Sequence, residues 1–112
     1  MFKPSSRLQH WYDKYNKLYF DGELDTEAEV GWNDELPEDT LGQTLAFTEA
    51  EGNHSYFRIS ISTQLLPFVE ITKQTVLHEM VHIKLHPYMK HGKRFNSEML
   101  ALAAKGAFNG LW

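Results

Sequence analysis

The residues that most restrict how this chain can fold are His78 and His82, four apart with Glu79 beside the first, in the stretch LHEMVHIKL. On an α-helix a four-residue step leaves two side chains about 40° apart around the axis and about 6 Å apart along it, so both imidazoles can reach one ion from the same face. Glu79 lies about 100° around from His78, on the flank of that pair. It is too close in sequence to be a comfortable further ligand, and well placed to take a proton from a water held there. Two neutral nitrogen ligands plus a flanking carboxylate are the parts of a catalytic zinc site, in which the metal lowers the pKa of water and polarises a carbonyl. Val76, Leu77, Met80, Val81 and Leu85 supply the same helix with a buried side.

A catalytic zinc needs a third protein ligand. His86 continues the four-residue spacing, but on a straight helix it lies about 12 Å along the axis from His78. Three imidazoles so spread cannot all bind one ion at about 2.0–2.1 Å. Pro87 blocks continuation of the helix and pushes His86 toward extended backbone. The chain can then turn back, and Gly92 next to His91 permits close approach. His91 is therefore the expected third ligand. Glu98, on the helix that follows, is the rival, and would otherwise orient an imidazole from behind. His86 is expected outside the ligand set, and His10 and His54 on the surface.

Around this segment the pattern reads as helix, strands, helix, helix. Ser5 or Ser6 can cap a first helix on which Leu8, Trp11, Tyr12, Tyr15, Leu18 and Tyr19 recur at helical spacing, ended by Asp21-Gly22. Three alternating stretches follow, around Ala28–Trp32, Thr44–Thr48 and Phe57–Ser62. The last two are expected to form an antiparallel hairpin through a turn centred on Gly52-Asn53. Thr72 can cap the histidine helix, which runs to about Leu85, and a last helix begins near Lys93 or Arg94. Trp11, Trp32 and Trp112 read as packing residues. Tyr88 lies between the histidine helix and His91, again as packing. The fold class is α+β: a small twisted, mostly antiparallel sheet packed against the histidine helix and its flanking helices.

The 112 residues contain no cysteine, which excludes disulfides, thiolate zinc sites and a catalytic thiol. No apolar run approaches the ~18 residues of a membrane span. The polar start, MFKPSSRLQHWYDKY, does not resemble a signal peptide. A cytoplasmic protein with no membrane partner is the expectation. The net charge of −4 is unevenly spread. From Leu18 to Phe57 there are eleven acids and no lysine or arginine, whereas the remaining residues carry all eleven basic residues and four acids. Either the acidic stretch is a set of solvated loops, or the two charge classes occupy different faces. In the second case Lys84, Lys90, Lys93 and Arg94 would give the histidine region a positive field able to hold single- or double-stranded DNA weakly.

The sequence resembles the SprT-like metalloprotease domain family, which includes the Spartan-type enzymes. The resemblance covers nearly the whole chain, residues 1–112, as one domain. YNKLYFDGEL is similar to the family's exit from its first helix, VGWND…LGQT to its first strands, and ISIS followed by TVLHEMVH to its passage into the active helix. HGKRF, His91 to Phe95, resembles the third-ligand motif. The resemblance implies zinc at His78, His82 and His91, Glu79 as general base, and a minimal zincin-like fold. For the best-known members it implies cleavage of proteins crosslinked to DNA. Many relatives carry a cysteine-based zinc ribbon for DNA, and no cysteine stands in these 112 residues. The acidic total gives no general DNA-binding signature either. A partner protein could then supply targeting. The expected function is a zinc endopeptidase, with an extended protein or peptide substrate laid against the Tyr56–Ser62 strand. The alternatives are a zinc-stabilised DNA- or protein-binding module without peptidase activity, and a zinc hydrolase acting on a non-peptide bond.

Overall fold

A computed structural model of the chain describes residues 1–48, 55–86 and 91–108. The elements are β1 (Phe2–Pro4), α1 (Ser6–Tyr19), β2 (Glu29–Asn33), β3 (Gly42–Thr48), β4 (Ser55–Ser62), a short 3-10 turn (Thr63–Leu65), α2 (Val69–Leu85) and α3 (Lys93–Ala104). This is a mixed α+β arrangement of one four-stranded sheet and three helices. No helix among the described residues is long and apolar enough to cross a membrane. The expected turn at Gly52-Asn53, and His54, Pro87, Tyr88, Lys90 and Trp112, lie outside the described residues.

Helix α1 starts where Ser5 caps it, the Ser5 Oγ accepting from the Leu8 amide at 3.2 Å. Leu8, Tyr12 and Tyr15 point into the core, with Trp11 and Tyr19 at its margin. Leu18, at the same spacing, is exposed. The exit is held by Asn16, which is buried. Its side-chain amide donates to the Leu24 carbonyl at 3.1 Å, and its side-chain oxygen accepts from the Leu24 amide at 3.0 Å. Asp21 and Gly22 adopt positive φ there, 55° and 71°. This is the left-handed conformation that stops a helix.

The sheet runs in the order β1-β2-β4-β3. β1 pairs antiparallel with β2, β2 parallel with β4, and β3 antiparallel with β4. The expected hairpin of β3 and β4 is present. β1 was not foreseen, because three residues containing Lys3 and Pro4 show no alternation. The order also corrects the expectation for the Tyr56–Ser62 strand: β4 lies between β2 and β3 and is not an edge strand, whereas β3 ends the sheet.

Phe57, Ile59 and Ile61 of β4 and Val30 of β2 form the face that meets the helices, packing with Leu8, Tyr12, Val76, Leu77 and Val81. Paired residues share a face. Gly42 and Thr44 of β3, opposite Ile61 and Ile59, are therefore also on the helix side. Leu45 and Phe47 fall on the other face, where Phe47 stacks on Tyr56 and the Arg58 guanidinium lies over Phe2 and Phe47 while pairing with Glu29 at 3.2 Å.

Helix α2 is buried on most of its circumference, including Thr72, Val76, Leu77, Glu79, Met80, Val81, His82 and Ile83. It contacts α1, the sheet and α3, so it has no single apolar stripe. It begins three residues before the expected Thr72. Phe68 occupies the cap position, and Thr72 instead donates its hydroxyl to the carbonyls of Phe68 and Leu65, at 2.7 and 2.9 Å. His86 closes the helix with φ −50° and ψ 133°, the extended geometry that a following proline imposes.

Candidate metal centre

His78, Glu79 and His82 all lie within α2, while His91 precedes the first turn of α3. The fold brings the three histidines together, each offering a ring nitrogen within 4.8 Å of the others. The Nε2 atoms of His78 and His82 lie 3.2 and 2.9 Å from that of His91. Two ligands on a tetrahedral zinc at 2.0–2.1 Å sit roughly 3.3 Å apart. The spacing fits such an ion. The alternative, hydrogen bonds among the rings, cannot satisfy all three, because His91 Nε2 carries either one hydrogen or one lone pair in its ring plane.

Phe95, buried at the first turn of α3, locks the set in place. Its ring centroid is 4.7, 4.9 and 4.6 Å from those of His78, His82 and His91. Burial, then the neighbouring rings, lowers the pKa of His78 to about 4. Burial, then His91, lowers that of His82. Both causes keep the imidazoles neutral, the state in which nitrogen offers a lone pair to a metal. His82 Nδ1 is buried and has no hydrogen-bond partner among the described residues.

His86 and Glu98 stand apart from this cluster. His86 is exposed, its ring edge-on to Phe57 at 5.2 Å. Glu98 accepts from Lys84 Nζ at 2.6 Å. Its carboxylate pairs with a lysine and lies outside the three-histidine group. Lys84 of α2, expected beside DNA, makes this ion pair. Lys93 and Arg94 are exposed at the start of α3.

Glu79 is only 5% exposed. Its Oε2 lies 3.8 Å from His78 Nε2, and its Oε1 accepts from Thr44 Oγ1 at 2.8 Å. Desolvation pushes the Glu79 carboxyl up to about 7, and the Thr44 hydrogen bond partly opposes this. A carboxylate poised there can accept a proton near neutral pH and return it. Sequence reasoning did not find Thr44, because one threonine in a strand carries no pattern and its partner is 35 residues away. Nor did it find the reason for Gly42. A Cβ at that position would meet Thr75 Cγ2 at 2.7 Å and the Glu79 side chain at 3.2 Å. Glycine lets the edge strand approach α2 at the carboxylate. Beside Glu79 and His78 opens a cleft of about 680 Å³, bounded by Asp39–Gly42, α2 and α3.

No solved structure matches the chain. The SprT-like family model matches residues 8–109, nearly the whole sequence. That match spans the Asn16 turn, the β3 edge, the histidine cluster and Phe95, and with it the chain belongs to the SprT-like family.

Proposed function

We propose that this chain is a zinc-dependent endopeptidase. The observation that carries the reading is the convergence of three Nε2 atoms, from His78, His82 and His91, beside the buried Glu79 carboxylate. His78, His82 and His91 would hold the ion, which when bound supplies Lewis acidity toward a carbonyl and a lowered pKa for water. Glu79 takes the proton from the attacking water and delivers it to the leaving amine. Thr44 fixes one oxygen of Glu79 and leaves the other facing His78. An extended substrate pairs main chain to main chain along the edge of β3, the strand that ends the sheet and reaches Glu79 through Thr44. A purely structural zinc site has no use for a buried base, and this favours a hydrolase over a binding module.

The test joins metal analysis to proteolysis. The purified protein is expected to bind one zinc per chain. Glu79→Gln is expected to fold and keep that zinc while losing peptidase activity roughly 10²–10⁴-fold, the usual contribution of a general base. Equal cleavage by the variant and the wild type would assign the proteolysis to another mechanism or to a contaminant.

A further inference from the structure

The cleft beside Glu79 has an uneven lining. Leu41 before β3, Ile71 on α2, Met99, Leu100 and Ala103 on α3, and Phe108 beyond it give an apolar wall. Asp39 is its acidic group besides Glu79, and no lysine or arginine lines it among the described residues. Leu41, Ile71 and Leu100 are 42, 44 and 72% exposed. Single exposed leucines are ordinary on a protein surface. Three large apolar side chains around one cleft, with a buried carboxylate and a histidine in its lining, form a patch continuous with the reacting groups. The volume, about 680 Å³, lies in the range of pockets that enclose a ligand. It accommodates a large side chain together with its flanking backbone.

We propose that this cleft is the specificity pocket of the enzyme, and that it selects substrates with a large apolar residue (leucine, methionine or phenylalanine) next to the bond that is cut. The proposal rests on the peptidase reading and adds the substrate class to it. An apolar side chain gains by leaving water against Ile71, Met99 and Phe108. An acidic one meets Asp39 and finds no cation. Ala103 sets the depth of the wall on α3, since a larger residue there projects into the space the guest occupies.

The experiment uses full-length, zinc-loaded Glu79→Gln protein and fluorescein-labelled peptides of glycine and serine that carry one guest residue. Such a host makes register irrelevant, because only the guest can fill the pocket. Leucine and phenylalanine guests are expected to bind about 10- to 100-fold more tightly than alanine, the usual discrimination of an apolar pocket, and aspartate more weakly still. Ala103→Leu, and separately Ile71→Asp, should reduce the leucine-to-alanine ratio to less than about threefold. Both positions are exposed, so neither change disturbs the core. In the wild type, the new termini generated from an unfolded protein should adjoin leucine, methionine or phenylalanine. Equal binding of all guests by the unsubstituted protein overturns the pocket, whether or not peptides are cleaved. Discrimination that survives both substitutions overturns it as well. Discrimination that is lost in both variants, with no cleavage by the wild type, supports the pocket and defeats the peptidase reading alone.

Discussion

Two polar constellations in this chain are built on opposite terms. At the end of α1, Asn16 uses both functional groups of its amide on one backbone residue, Leu24. Nearby, Tyr12 donates its hydroxyl to the Asp25 carbonyl at 2.7 Å. The Asn16 amide and the Tyr12 hydroxyl find their partners within the chain. At the histidines the reverse holds: His78 and His82 both face the one Nε2 of His91, which cannot complete hydrogen bonds to both. Buried polar groups are normally paired within the protein. The first region is a structural clamp, and the second is a set of ring nitrogens that could hold a metal ion. The comparison separates residues that hold the fold from residues that the fold holds.

The sharpest way to break this comparison is to remove a histidine. His91→Ala is expected to weaken zinc binding more than a hundredfold, since even outer partners of a ligand cost 10–100-fold. His86→Ala should leave binding unchanged. Titration with a zinc indicator measures both, and stoichiometric zinc in His91→Ala would remove His91 from the ligand set. Next in size is Asn16→Ala, which leaves the Leu24 amide and carbonyl without their buried partners. The loss is about 2–4 kcal/mol of folding stability, or on the order of 10 °C in Tm. Calorimetry reads the loss, while zinc affinity measured below the transition should not change. A joint loss of stability and affinity would merge the two regions.

A smaller effect is expected at Thr44. Thr44→Val removes the hydrogen bond to Glu79 Oε1 and should lower kcat about tenfold with metal content unchanged, and Thr44→Ser should restore it. A valine variant as active as the wild type would remove Thr44 from the positioning of Glu79. The smallest effect concerns nucleic acid. If Lys84, Lys90, Lys93 and Arg94 all contact phosphate, affinity for single-stranded DNA should fall with salt at a log–log slope no steeper than about −3. Reversing Lys93 and Arg94 to Glu should abolish any stimulation of cleavage by DNA and spare a small free peptide. Failure to bind DNA at low salt would leave targeting to a partner protein.

How much could be read from the sequence follows the range of the interactions. His78, Glu79 and His82 were legible because their relation is set by one helical turn. The proline-directed geometry of His86 and the start of α3 were legible for the same reason. His91 followed from excluding a straight continuation, and the structure brings it to the other two. What depended on distant pairing was hidden. The parallel pairing of β2 with β4 leaves no local mark, so the sequence does not reveal that β4 lies inside the sheet and β3 at one edge. Leu45 and Phe47 read as an ordinary apolar alternation, but the face of β3 toward α2 carries Gly42 and Thr44, because Glu79 and Thr75 lie there. Thr72 looks like a cap, yet the helix starts at Val69 and the Thr72 hydroxyl bonds back to the Phe68 and Leu65 carbonyls.

The sheet order also has a consequence for how the domain assembles. β3 and β4 are hairpin neighbours, whereas β2 must reach the far side of β4, and residues 34–41 carry the chain across that strand's end. The Ser62 amide donates to the Leu41 carbonyl at 2.9 Å at this crossing. Contacts close in sequence form before distant ones. The hairpin and α2 are therefore expected to be in place before this crossing closes, and Asp39–Leu41, the rim of the cleft, is set last. Extra glycines inserted between Asp34 and Pro37 should therefore speed unfolding in stopped-flow measurements, with little effect on the folding rate.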